Sequence, residues 1–173
     1  FTVGEDIYAS ATPSEEVSSL RTSTAEIETF LVDNAASKDV AVGGYDAYEV
    51  SFTLKPQSEG KTKVTLCNAC GEKFSLEFDT ENMTVLADRS ESGKMTRIKS
   101  FVLMPAAPLG LCNSSDGYDV DVFVDKCSVE VFVDGGRIAM TNLVFPSESF
   151  DNIVFESTGE SEISNMFIHK IGK

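Results

Sequence analysis

Four cysteines and a single histidine are the residues of this 173-residue chain best suited to metal or nucleophile chemistry. Cys67-Asn68-Ala69-Cys70-Gly71 has the spacing of a zinc knuckle, whose paired thiolates and turn glycine suit tetrahedral zinc. A structural zinc site needs a second pair at similar spacing. Cys112 and Cys127 are fifteen apart, and His169 stands near the C-terminus, so no metal is assigned. One or two disulfides, or free thiols, stay open for the four cysteines. With one histidine there is no convincing Ser-His-Asp or Cys-His arrangement. Asp116, Asp119, Asp121 and Asp125 cluster, but without the glycine and spacing of a calcium loop. Gly43-Gly44 and Gly135-Gly136 lack the strand-to-helix setting of a phosphate cradle. These residues predict no catalytic centre, no metal and no cofactor.

The elements that carry them repeat with period two. Tyr48 to Leu54 alternates cleanly until Lys55-Pro56, and Val64-Thr65-Leu66 and Phe74 to Phe78 flank the Cys67–Gly71 turn as a hairpin. Thr84 to Ala87 forms a short strand that runs into a polar turn at Asp88 to Gly93. Lys99 to Met104 reads as another apolar strand, closed by Pro105 and Pro108. The strongest segment alternates from Asp119 to Asp125, breaks at Lys126-Cys127 and resumes from Val129 to Val133. Asp134-Gly135-Gly136 then reads as a primed hairpin turn. Ile138 to Phe145, Asn152 to Glu156 and Ile163 to Ile171 complete the series. Ten or eleven strands with regular turn signals predict an all-β, two-sheet antiparallel sandwich of the jelly-roll or concanavalin-like kind. Residues 1–22 are too polar and short for a core helix and read as a linker, leaving 23–173 as the sandwich.

Alternation also assigns faces. Val120, Val122 and Val124, with Val129, Val131 and Val133, point one way and line the core. Phe123 and Phe132 then lie on an outer face beside acidic groups, where they mark a docking surface or sit under a loop.

Composition excludes several partners. Lys plus Arg is 14 against 28 Asp plus Glu, a net charge of −14 that repels phosphate backbones and anionic headgroups. Neither nucleic acid nor a membrane surface is expected as a partner, and no apolar stretch approaches the ~20 residues of a membrane span. The start, Phe1 to Asp6, has no initiator Met, basic n-region or apolar h-region. It reads as a mature product, a fragment or an engineered piece.

Val122-Phe123-Val124-Asp125-Lys126-Cys127-Ser128-Val129-Glu130-Val131-Phe132-Val133-Asp134-Gly135-Gly136 resembles a signature of glycoside hydrolase family 32, the invertases, inulinases and levanases. It departs from the family run at Lys126, where arginine is usual, and at Cys127, where serine is. Asp88 to Gly93 is similar to the family's Asp-Arg-Ser-x-Ser-Gly turn, and Thr141 to Pro146 to the strand after the signature. Pro13-Ser14-Glu15-Glu16-Val17-Ser18-Ser19-Leu20-Arg21 resembles the linker between the family's catalytic propeller and its C-terminal sandwich. The resemblance implies a non-catalytic sandwich that packs on and stabilises a five-bladed propeller of the same parent chain. The parent would be a β-fructosidase using an Asp nucleophile and a Glu acid/base. The family's catalytic motifs contain Asp-Pro dipeptides and Glu-Cys, and this sequence has neither.

The resemblance further implies a secreted or cell-envelope parent and leaves open direct contact with a fructan oligosaccharide. Arg89 and Glu130 are the candidate sugar contacts, through charge-assisted hydrogen bonds to hydroxyls, or else a pair tying two strands together. Phe123 and Phe132 are the candidate domain interface. A free-standing fructan-binding module is the alternative, and the linker at 13–21 favours the attached domain.

Overall fold

A computed structural model describes residues 1–95, 101, 105–112 and 115–172. Its strands are β1 (Thr2–Val3), β2 (Asp6–Ile7), β3 (Arg21–Ile27), β4 (Phe30–Val32), β5 (Lys38–Ala41), β6 (Tyr48–Pro56), β7 (Lys61–Cys67) and β8 (Lys73–Asp79). There follow β9 (Thr84–Glu91), β10 (Ala106–Pro108), β11 (Tyr118–Asp125), β12 (Ser128–Val133), β13 (Ile138–Leu143), β14 (Asn152–Ser157) and β15 (Ser161–Ile171). Two antiparallel sheets face each other. One has six strands in the order β10-β9-β8-β7-β14-β5. The other has seven, in the order β13-β12-β11-β6-β15-β3 with β4 also paired to β15. β1 and β2 make a separate two-stranded ribbon.

The core is where the two inward alternations meet. Val50, Val122 and Val131 lie in one row of the seven-stranded sheet, and Leu76, Val64 and Phe155 in one row of the other. All six are buried. Phe155 takes Phe52 and Phe30 edge-on at 5.5 and 5.3 Å, a preferred aromatic geometry. Three hydroxyls that reach this interior pair with one another, whereas the Tyr48 hydroxyl and the Asn142 amide are buried without a partner among the described residues. The hydroxyl of Thr62 lies 3.0 Å from that of Ser157 and 2.7 Å from that of Ser161.

Fifteen strands among the described residues exceed the ten or eleven expected, because short and polar edge strands carry little alternation. β3 is the clearest case: six of its seven residues are exposed, so it shows no apolar period. Its pairing begins at Arg21, two residues ahead of the expected boundary at 23, directly after a 3-10 helix over Glu15–Leu20. Asp88 to Glu91 is not a turn but the end of β9, with Asp88 opposite Ser75 and Glu91 opposite Lys73. The expected strand over Lys99 to Met104 lies, except for Phe101, outside the described residues.

Two glycines mark close backbone crossings. After β9, Gly93 (φ +119°) bridges Phe145, and a Cβ there would sit 2.0 Å from the Phe145 carbonyl oxygen. Val133 pairs with Ile138, so the β12–β13 loop has four residues, 134–137, rather than a two-residue primed turn. There Gly136 leaves room for Ala11, whose N–H donates to the Gly136 carbonyl at 3.1 Å.

Candidate functional site

The β11–β12 pairing sets the geometry of the outer face. Its register places Val122 against Val131 inward, and Phe123 against Glu130 and Asp121 against Phe132 outward. Phe123 and Phe132 meet edge to face at 5.9 Å, both half-buried. The valine faces therefore line the core and the two phenylalanines lie outside it, as alternation predicts.

Following each row across the sheet brings other residues to them. One row runs Thr141, Glu130, Phe123, Glu49, His169, Thr24. Its neighbour runs Ala139, Phe132, Asp121, Ser51, Phe167, Glu26. Phe167 stacks on His169 with centroids 6.1 Å apart. Glu49 points away from the core, yet it is 1% exposed. Arg21, the first residue of β3, grips it with two hydrogen bonds, Nε at 2.7 Å and Nη2 at 2.6 Å.

Charge is crowded here. Burial, then the Glu49 and Asp119 carboxylates, raise the pKa of Asp121, with Arg21 opposing. Burial and the Arg21 charge lower that of His169, with Glu49 opposing, so the imidazole is neutral near pH 7. Its Nδ1 lies 2.8 Å from the Thr24 hydroxyl.

Arg89 and Glu130 lie on different sheets, and no hydrogen bond or ion pair joins them among the described residues. The Arg89 guanidinium sits 4.5 Å from the Phe101 ring centroid and donates to the Leu143 carbonyl at 3.4 Å, linking β9 to β13 of the opposite sheet. Its Nε is buried without a partner among the described residues. Glu130 shares the outer row with Phe123.

The four cysteines form no disulfide. The turn from Cys67 to Cys70 is closed by Asn68, whose Oδ1 accepts from Cys70 N and Glu72 N, both at 3.1 Å. No group of three His, Cys, Asp or Glu residues is arranged to hold a metal among the described residues. No helix among them is long and apolar enough to cross a membrane.

The family model described as "Glycosyl hydrolases family 32 C terminal" matches residues 16–170. This chain is a family 32 C-terminal domain. The domain is 25% identical over 173 residues to a levanase of Bacillus subtilis, a match covering 98% of this chain and 25% of that protein. It is 26% identical over 117 residues to an extracellular exo-inulinase of Aspergillus awamori, covering 66% of this chain and 22% of that protein. The domain thus spans about a quarter of the curated relatives' length. The crystal structure of the Aspergillus awamori exo-inulinase superposes with a TM-score of 0.79 at 23% identity, over 99% of this chain and 34% of that one. That likeness fixes the sandwich fold.

Arg21, Glu49, His169, Asp121 and Phe167 are what the motifs missed. Glu49 is legible as outward from the alternation of β6, but nothing local shows that it is buried. Phe167 is misread by simple alternation because a bulge in β15 inserts one residue ahead of it.

Proposed function

We propose that this domain is the non-catalytic sandwich of a β-fructosidase and that it docks on the catalytic domain through the outer face of its seven-stranded sheet. One observation carries the reading. That face holds Phe123, Phe132 and Phe167, all half-buried, around a buried Glu49 gripped by Arg21, and the described residues form no third sheet over them. Apolar side chains with a buried polar centre suit a partner that completes the covering. The relatives' greater length supplies a candidate partner in the same polypeptide, a five-bladed propeller by family resemblance. The relatives that act on fructans and are called extracellular support a secreted parent with the same substrate class.

Direct fructan contact at Arg89 and Glu130 has less support, since Arg89 is engaged between the sheets and Glu130 lies on the docking face. The test is activity of the purified 173-residue chain on sucrose, inulin and levan. No fructose release is expected. Turnover that survives rigorous purification overturns the reading.

A further inference from the structure

The docking face carries more negative charge than it neutralises. Its two central rows present Glu130, Glu49, Asp121 and Glu26, and Arg21 alone reaches in as a cation among the described residues. Glu49 takes two of the three guanidinium nitrogens of Arg21. Asp121 is half-buried, accepts no hydrogen bond through its side chain and makes no ion pair among the described residues. It is ringed by Glu49 and Ser51 from β6, Glu130 and Phe132 from β12, and Asp119 and Phe123 along its own strand. Arg21 and Glu26 from β3, with His169 and Phe167 from β15, lie beyond them.

Covering this carboxylate would strip the water that still solvates it. An ionised group buried without a partner is costly, and here like charges stand on both sides. Resting on the docking reading above, we propose that the surface received by this face is basic and places an arginine or lysine against Asp121, between the apolar seats of Phe123 and Phe132. A cation there replaces the lost water and relieves the repulsion from Glu49 and Glu130 at once. Burial with proton uptake is the competing route, and the two give opposite signs.

The experiment is hydroxyl-radical footprinting of Phe123 and Phe132 in the full-length parent polypeptide. With a cation opposite, protection rises as pH is raised through the carboxylate range, from about 4 to about 7, and falls with added salt. Asp121→Asn, close in shape but neutral, loses protection and much of the salt response, while Asp39→Asn on the other outer face changes neither. Protection that grows as pH falls, or that Asp121→Asn preserves or strengthens, overturns the proposal in favour of proton uptake. Free oxidation of Phe123 and Phe132 in the unsubstituted parent is a different result: the docking reading itself fails and takes the basic partner with it.

Discussion

On the outer face of the six-stranded sheet, charged side chains pair across strands mostly in solvent, with Asp79 the buried exception. Lys61 bonds Glu77 at 2.7 Å and Asp79 at 3.2 Å, and Lys73 bonds Glu91 at 2.6 Å. Glu156 stands opposite Lys63 on the neighbouring strand. The outer face of the seven-stranded sheet does the reverse. Its ion pair, Arg21–Glu49, has one partner 2% exposed, and three half-buried phenylalanines lie on its central strands. A face whose charges are mutually paired, most of them solvated and buried Asp79 met by Asn82 and Lys61, needs no partner. A face with half-covered aromatic rings around a buried carboxylate gains most from a covering partner. The contrast, more than any single residue, is what favours the seven-stranded sheet as the docking side proposed above.

The largest effect expected in the chain by itself is at Arg21. Removing one member of a buried pair costs about 3–5 kcal/mol. Arg21 keeps 35% exposure, so Arg21→Ala should cost about 2–3 kcal/mol by denaturant titration. A loss within experimental error would mean that Glu49 is solvated, and the contrast between the faces would collapse.

Next come the aromatic rings. Full burial of a phenylalanine is worth on the order of 1.5–3 kcal/mol. Phe132 is already half-covered, so Phe132→Ser should destabilise the longer parent by about 1–2 kcal/mol and the isolated chain by less than about 1 kcal/mol. A loss in the isolated chain of about 3 kcal/mol or more, as core truncations give, would place Phe132 in the sandwich's own core.

On the other face the expected change is smaller. Lys73→Ala breaks an exposed pair and should cost less than about 1 kcal/mol, vanishing at high salt. A large, salt-insensitive loss would show that the Lys73–Glu91 pair is not the solvated one its exposure implies.

The pH response sharpens the same comparison. The pKa of His169 is lowered from 6.5, so the unfolded chain takes the proton first and stability falls as pH drops below about 6.5. The Asp79 carboxyl on the opposite face is held at about 2, chiefly by hydrogen bonds from Asn82 and then by Lys61. Its contribution is present above about 3.8 and lost as pH falls toward 2. Unfolding titrations across pH should show His169→Asn flattening the upper window and Asp79→Asn the lower. Windows that exchange places, or a slope unchanged by either substitution, would contradict the assignment.

Period-two alternation by itself determined the sandwich, the inward valines of β11 and β12 and the outward Phe123 and Phe132, because successive side chains on a strand must oppose each other. The run from Val122 to Gly136 likewise sufficed to place the chain in its family, since hairpin and turn residues keep their spacing. Tertiary structure decided the rest. Simple alternation in β15 from Ile163 puts Phe167 inward, but a bulge between Ser164 and Phe167, with Asn165 at φ +50°, inserts one residue. Met166 and Ile168 turn into the core and Phe167 and His169 out onto the face that carries Phe123, since one added residue reverses every later side chain. The burial of Glu49 depends on Arg21, 28 positions earlier, and on a polar edge strand with no apolar period to announce it. Charge burial is set by neighbours from distant strands, and no local pattern encodes which neighbours those are.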